Sequence, residues 1–146
     1  MKELVVKNYQ EGQSQTIEQN GNKFTVKPVI TNEEGRKYAI NFVEVEPANY
    51  AYGYHWHEMN EEAFYIISGE GIVRTVDGDI KVKTGDVITF PSGPKGAHVI
   101  RNSSDSEKLI YIDFGTNNLT EIVHLPDINK IMAVGPYSNG LYDFQN

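Results

Sequence analysis

Polar and apolar residues alternate along most of this chain in short runs, and the runs end at glycine, proline or asparagine. Residues 38–46 show it most plainly: Ala39, Asn41, Val43 and Val45 point one way, and Ile40, Phe42, Glu44 and Glu46 the other. That period of two is the mark of a strand with one buried face. Pro47 closes the run. Leu4-Val5-Val6 is a candidate edge strand, and Asn20-Gly21 ahead of Phe24-Thr25-Val26 carries a hairpin signal, because both residues tolerate positive φ. Gly69 and Gly71 flank Glu70 and mark a tight bend. Ile72-Val73-Arg74-Thr75-Val76 predicts a strand, Asp77-Gly78 a hairpin turn, and Ile80-Lys81-Val82-Lys83 the return.

A turn at Thr84-Gly85-Asp86 then leads into Val87-Ile88-Thr89-Phe90. Residues 91–96, with two prolines and two glycines, read as a loop that can be neither helix nor central strand. Residues 97–100 and 108–114 predict two more strands around the polar turn at 102–106. No window sustains a 3.6-residue period; residues 127–132 allow one helical turn or two. Many short strands between turn signals predict an all-β sandwich or barrel. The expected organisation is one domain over residues 1–146, with 119–146 as a carboxy-terminal packing tail.

Composition narrows the function classes. A formal charge of −7 and the absence of a basic cluster speak against nucleic acid and anionic membranes as partners. No apolar run reaches the roughly 20 residues of a spanning helix. The chain has no cysteine, so disulfides, thiolate metal sites and cysteine nucleophiles are excluded. With no basic-then-apolar leader at residues 1–10, a cytoplasmic protein is the expectation.

Candidate chemistry centres on His55-Trp56-His57-Glu58-Met59-Asn60-Glu61-Glu62. On a strand, His55 and His57 share a face and Trp56 takes the other. Imidazoles with a carboxylate from a neighbouring strand form a first-row transition-metal donor set. Glu62 follows a turn at 58–60 and shares a face with Phe64 and Ile66; Glu61 is the alternative carboxylate. His98 comes from a separate hairpin. Three imidazoles and a carboxylate favour Mn, Fe, Co, Ni, Cu or Zn over Ca or Mg. Tyr52, Tyr54, Phe64, Phe90 and Tyr111 are candidate substrate-contacting residues. Tyr50 and Asp113 share the pattern, although aromatic residues in strands commonly serve packing. His124 lies outside the cluster and reads as a strand histidine with a local partner. Asn102-Ser103-Ser104 fits a glycosylation sequon but reads as a turn.

The spacing of these residues resembles the cupin family. His55-x-His57, Glu62 and Gly69 follow its first motif, and Gly85, Pro91, Gly93, His98 and Asn102 its second, all within residues 53–102. Two positions depart from the pattern: Asn49 stands where the family has glycine, and four residues, not two, separate Gly93 from His98. The resemblance implies a double-stranded β-helix, a jelly-roll barrel, with one divalent metal held by His55, His57, Glu62 and His98. It also implies a homodimer. A metal-dependent enzyme acting on a small oxygen-rich molecule (a sugar acid, keto acid or enol) is the leading expectation, with isomerase, lyase, decarboxylase and dioxygenase chemistries open. The alternative is a non-catalytic module that binds or senses a small ligand through the metal.

Overall fold

The computed structural model describes residues 3–31 and 35–145. Its strands are β1 (Gln15–Gln19), β2 (Asn22–Ile30), β3 (Tyr38–Val45), β4 (Tyr50–His57), β5 (Glu62–Ser68), β6 (Glu70–Thr75) and β7 (Gly78–Lys83). There follow β8 (Val87–Phe90), β9 (His98–Asn102), β10 (Leu109–Thr116), β11 (Glu121–Leu125), β12 (Lys130–Val134) and β13 (Gly140–Asp143). They form two antiparallel sheets, ordered β1-β2-β3-β10-β5-β8 and β13-β12-β11-β4-β9-β6-β7. The result is a double-stranded β-helix. Among the described residues no helix is long and apolar enough to cross a membrane.

Alternation decides which side chains enter the barrel. Val43 and Val45 of β3 are fully buried, as are Leu109 and Tyr111 of β10 and Ile66 of β5. Together with Phe24, Phe64, Val73, Phe90 and Ile100 they make one apolar core. Burying such side chains stabilises by roughly 1.5–3 kcal/mol each, so this core fixes the strands that carry the site.

Turn chemistry agrees with backbone geometry at two decisive places. Asn20 and Gly21 have φ of 52° and 79° and close the β1–β2 hairpin, where Gln19 pairs with Asn22. Gly69 has φ of 92°, and a Cβ there would lie 2.5 Å from the Lys108 carbonyl oxygen. Only glycine lets the end of β5 pass β10 so closely.

Several expectations change. Residues 4–6 form no strand; they run as irregular chain. The β6–β7 turn has Val76 and Asp77 at its centre, with Thr75 paired to Gly78, so Gly78 (φ 112°) opens the return strand. Pro94–Gly96 forms a short 3-10 turn, because Pro94 presets its first φ and the Ala97 amide reaches the Pro94 carbonyl. The helical turn expected over 127–132 is likewise one 3-10 turn, Pro126–Ile128, ended by left-handed Asn129. The rest of that stretch enters β12.

Residues 121–143 extend the seven-stranded sheet with β11, β12 and β13. Trp56 and His124 stack face to face at 3.8 Å on the outside of this extension, and Phe144 meets the His124 edge at 5.0 Å. His124 Nε2 donates to Glu58 at 2.8 Å. This histidine has local partners of its own. Asn102 is equally structural: its fully buried side chain donates to the Val45 and Glu107 carbonyls and accepts from the Ser104 amide. A glycan has no access to it.

Candidate metal centre

β4, β5 and β9 bring the donors together. His55 sits directly opposite His98 across the β4–β9 pair, so the longer loop before His98 leaves its height in the barrel matched to His55. Glu62 opens β5 and faces both. Donor atoms of His55, Glu62 and His98 all lie within 4.8 Å of one another, a grouping able to hold a metal ion. His55 Nε2 donates to Glu62 Oε1 at 3.1 Å, His57 Nε2 also donates to Oε1, and His98 Nε2 lies 3.9 Å from Oε2. His57 therefore stands beside the three-residue group, joined to it through Glu62. Glu61, one residue earlier, faces solvent.

The second ring nitrogens are held from behind. Nδ1 of His55 donates to the Gly53 carbonyl at 2.7 Å, and Nδ1 of His98 to Gly96 at 2.8 Å. Each such bond fixes the ring and turns Nε2 toward the cluster, where a metal would take the place of the proton His55 gives to Glu62. His98 Nε2 is buried with no hydrogen-bond partner. A buried, aimed and unpartnered imidazole nitrogen is what a metal would satisfy, and three imidazoles with a carboxylate suit a divalent transition ion. The residues present fit such an ion.

The cluster's electrostatics point the same way. Burial pushes the His98 pKa down to about 4, so its ring is neutral at neutral pH. Burial alone would raise Glu62, but hydrogen bonds from His55 and His57 hold it well below the usual carboxylate range. Burial lowers His55 while its bond to Glu62 raises it, and the balance is upward. Glu62 thus gathers positive charge or a cation around itself.

The cluster opens into a cavity of about 680 Å³. Tyr52, Tyr54, Phe64 and Tyr111 line it. Phe90 does not: it stacks under His98 at 3.5 Å and backs that ring from the core. Tyr52 reaches the cavity from a bulge in β4 between Ala51 and His55, where its own φ is +59°. A left-handed tyrosine costs roughly 1–3 kcal/mol and is characteristic of functional sites. Tyr50 lies exposed, with the Arg101 guanidinium 6.0 Å from its ring centre.

Two acids complete the site. Asp113, on the inward face of β10 with Tyr111, lines the cavity beside Glu62. Loss of water and the Glu62 charge push its pKa well above the usual carboxylate range. Glu121 of β11 is buried; it accepts from the amides of Met59, Asn60 and Ile122 at 2.8–3.0 Å, and its Oε2 lies 3.6 Å from His57 Nδ1. Glu121 therefore sets the 58–61 turn and places its charge behind His57, whose buried Nδ1 makes no hydrogen bond. Sequence inspection missed it. The signal was an acid in phase with Val123 and Leu125 on an otherwise apolar strand face. Glu121→Gln is expected to weaken metal affinity about 10–100-fold while circular dichroism stays unchanged; unaltered affinity in a metal titration would contradict the role.

The cupin domain family matches residues 41–115. An oxalate-binding protein of Thermotoga maritima is 34% identical over 61 residues, 42% of this chain and 49% of that protein, so the chain spans about half the length of this curated relative. A sugar phosphate isomerase of the cupin superfamily from Silicibacter pomeroyi superposes with TM-score 0.72 at 19% identity, over 82% of this chain and 76% of the other. A "predicted oxalate decarboxylase" from Thermotoga maritima superposes with TM-score 0.69 at 24% identity, over 78% of this chain and all (100%) of the other. These structural likenesses show a shared fold. With the family match spanning half the chain, and with paired sheets that bring the two histidine motifs together, this chain belongs to the cupin family.

Proposed function

We propose that this chain is a metal-dependent enzyme acting on a small oxygen-rich molecule, such as a sugar acid, keto acid or enol. One divalent transition metal (Mn, Fe, Co, Ni, Cu or Zn) is held by His55, His57, Glu62 and His98. The observation that carries the reading is Asp113, a cavity-facing acid beside the cluster that is not needed as a ligand. A purely binding site has no use for a proton-accepting or proton-donating group at that position. When bound, the metal supplies Lewis acidity toward a substrate oxygen. The chain's own residues do the rest: Asp113 exchanges a proton with the substrate, Tyr52 and Tyr111 orient it, and the barrel wall excludes water. Which reaction class follows depends on the substrate.

The non-catalytic reading keeps one supporting fact, the likeness to an oxalate-binding protein over 61 residues. Hydrogen exchange separates the two. Metal-loaded protein in heavy water, offered hydroxyketones, keto acids and sugar acids, is expected to wash deuterium into one of them beside its carbonyl. Asp113→Asn should slow that exchange at least about 100-fold with metal content intact. Binding without exchange, and without oxygen uptake, would instead establish the sensing module.

For assembly we propose a homodimer. The outer face of the six-stranded sheet carries a cross-strand row, Phe42–Ile112–Tyr65–Val87, in which Tyr65 and Val87 are exposed. Such a row is suited to burial against a second copy. Sedimentation at micromolar concentration should give twice the chain mass, and Val87→Lys should restore the monomer; a monomeric wild-type chain would overturn the assignment.

A further inference from the structure

The cavity wall combines the polar cluster with a continuous apolar row. At the closed end stand the cluster, Asp113, Tyr52 and Tyr111, whose buried hydroxyl has no hydrogen-bond partner. From there a row of directly paired residues leads outward across the seven-stranded sheet: His57 to Val123, Val123 to Met132, Met132 to Leu141. Paired residues of one register share a face. Since His57 points into the cavity, the three apolar side chains form its floor. Met132 is 39% exposed and Leu141 53%, and Leu119 and Ile128 beside them are each 53% exposed, all lining the cavity. Apolar surface left open inside a cavity is surface for a ligand.

Charge gives the second half of the argument. The acids lining the cavity are Glu62, Asp113, Glu121 and Asp127, and no Lys or Arg is among the described lining residues. Of the cations near the wall, Arg74 is fully engaged, and the others meet the wall away from their charged groups or with one bond. Arg74 is held by Asp127 through two bonds of 2.7 and 3.1 Å and covers the Tyr54 ring at 4.0 Å. Arg36 donates to the Glu3 carbonyl. Lys37 is exposed and meets the wall through its backbone carbonyl, which accepts from Asn117. The Glu62 carboxylate would already balance part of the charge of the proposed metal. A phosphate or a second carboxylate on the ligand would find no positive charge, and Asp113 offers none in either protonation state.

We propose that the cavity takes an uncharged molecule with two neighbouring oxygens at one end and an apolar body. An enol, a diketone or a hydroxyketone has that head. Its oxygens face the cluster, Asp113 and Tyr111, and its body lies along Val123, Met132 and Leu141. This rests on the metal-site reading above and narrows its substrate class: phosphorylated sugars and dicarboxylates are disfavoured.

Three hydroxamates with one chelating head test it. Full-length chain is loaded with cobalt, whose visible absorption reports both occupancy and ligand binding, and titrated with acetohydroxamic, octanohydroxamic and phosphonoacetohydroxamic acids. The octanoyl compound is expected to bind at least about tenfold tighter than the acetyl one, and the phosphono compound at least about tenfold weaker. Met132→Asp and Leu141→Asp should each reduce the octanoyl-to-acetyl ratio below about threefold. Equal or tighter binding of the phosphono compound overturns the proposal, as does an octanoyl ratio near one, or failure of all three to bind cobalt-loaded chain. Ratios unchanged by the substitutions, with a changed sedimentation mass, would reassign this face to contact between copies and also overturn it. Absence of cobalt absorption before any probe is added is a separate result: it removes the metal-site reading itself.

Discussion

Glu62 carries a charge at the inner end of a β-barrel, where little water remains to solvate it, and the surrounding structure answers that charge. A buried carboxylate without partners is costly by several kcal/mol. Here His55 and His57 donate to it, and His98 faces it from the opposite strand. Two of those rings are in turn fixed from behind by backbone carbonyls, and Glu121 Oε2 lies 3.6 Å behind the third. The apolar core, with Phe90 stacked on His98 and Phe64 edge-on to it, holds these rings in place. Core packing, strand register and site geometry are one constraint seen at three scales.

That constraint explains why the fold and the donors were legible in the sequence. A period of two over β3 and β10 assigns inward residues without knowledge of the partner strand, and Asn20-Gly21 marks its turn chemically. That His55 and His57 share a face follows from parity alone. What could not be read was anything set by contact between distant segments. Asp113, in sequence no more than one pocket candidate among several, stands out because β10 places it beside Glu62, and Glu121 because β11 docks on β4. Phe90 lies near the site but behind it, a distinction alternation cannot draw when a short strand meets a loop. The irregular course of residues 4–6 has the same origin. Nothing in residues 4–6 themselves records that the chain pairs first at β1.

The carboxy-terminal strands alter the picture of function most. Read as a tail, they would merely close the barrel. As β11–β13 they lengthen one sheet past the metal cluster and lay an apolar floor beside it. The candidate metal site of the shared family fold is thereby joined to the ligand surface we propose on other residues. Such an arrangement places chemistry in the barrel and selectivity in its extension.

X-ray absorption at the metal edge of reconstituted protein examines the central claim most directly. The account predicts a first coordination shell of three imidazoles and one carboxylate, with the remaining ligands light oxygen donors, and loss of one imidazole in His57→Ala. A shell of oxygen donors alone, or one unchanged by that substitution, would contradict it.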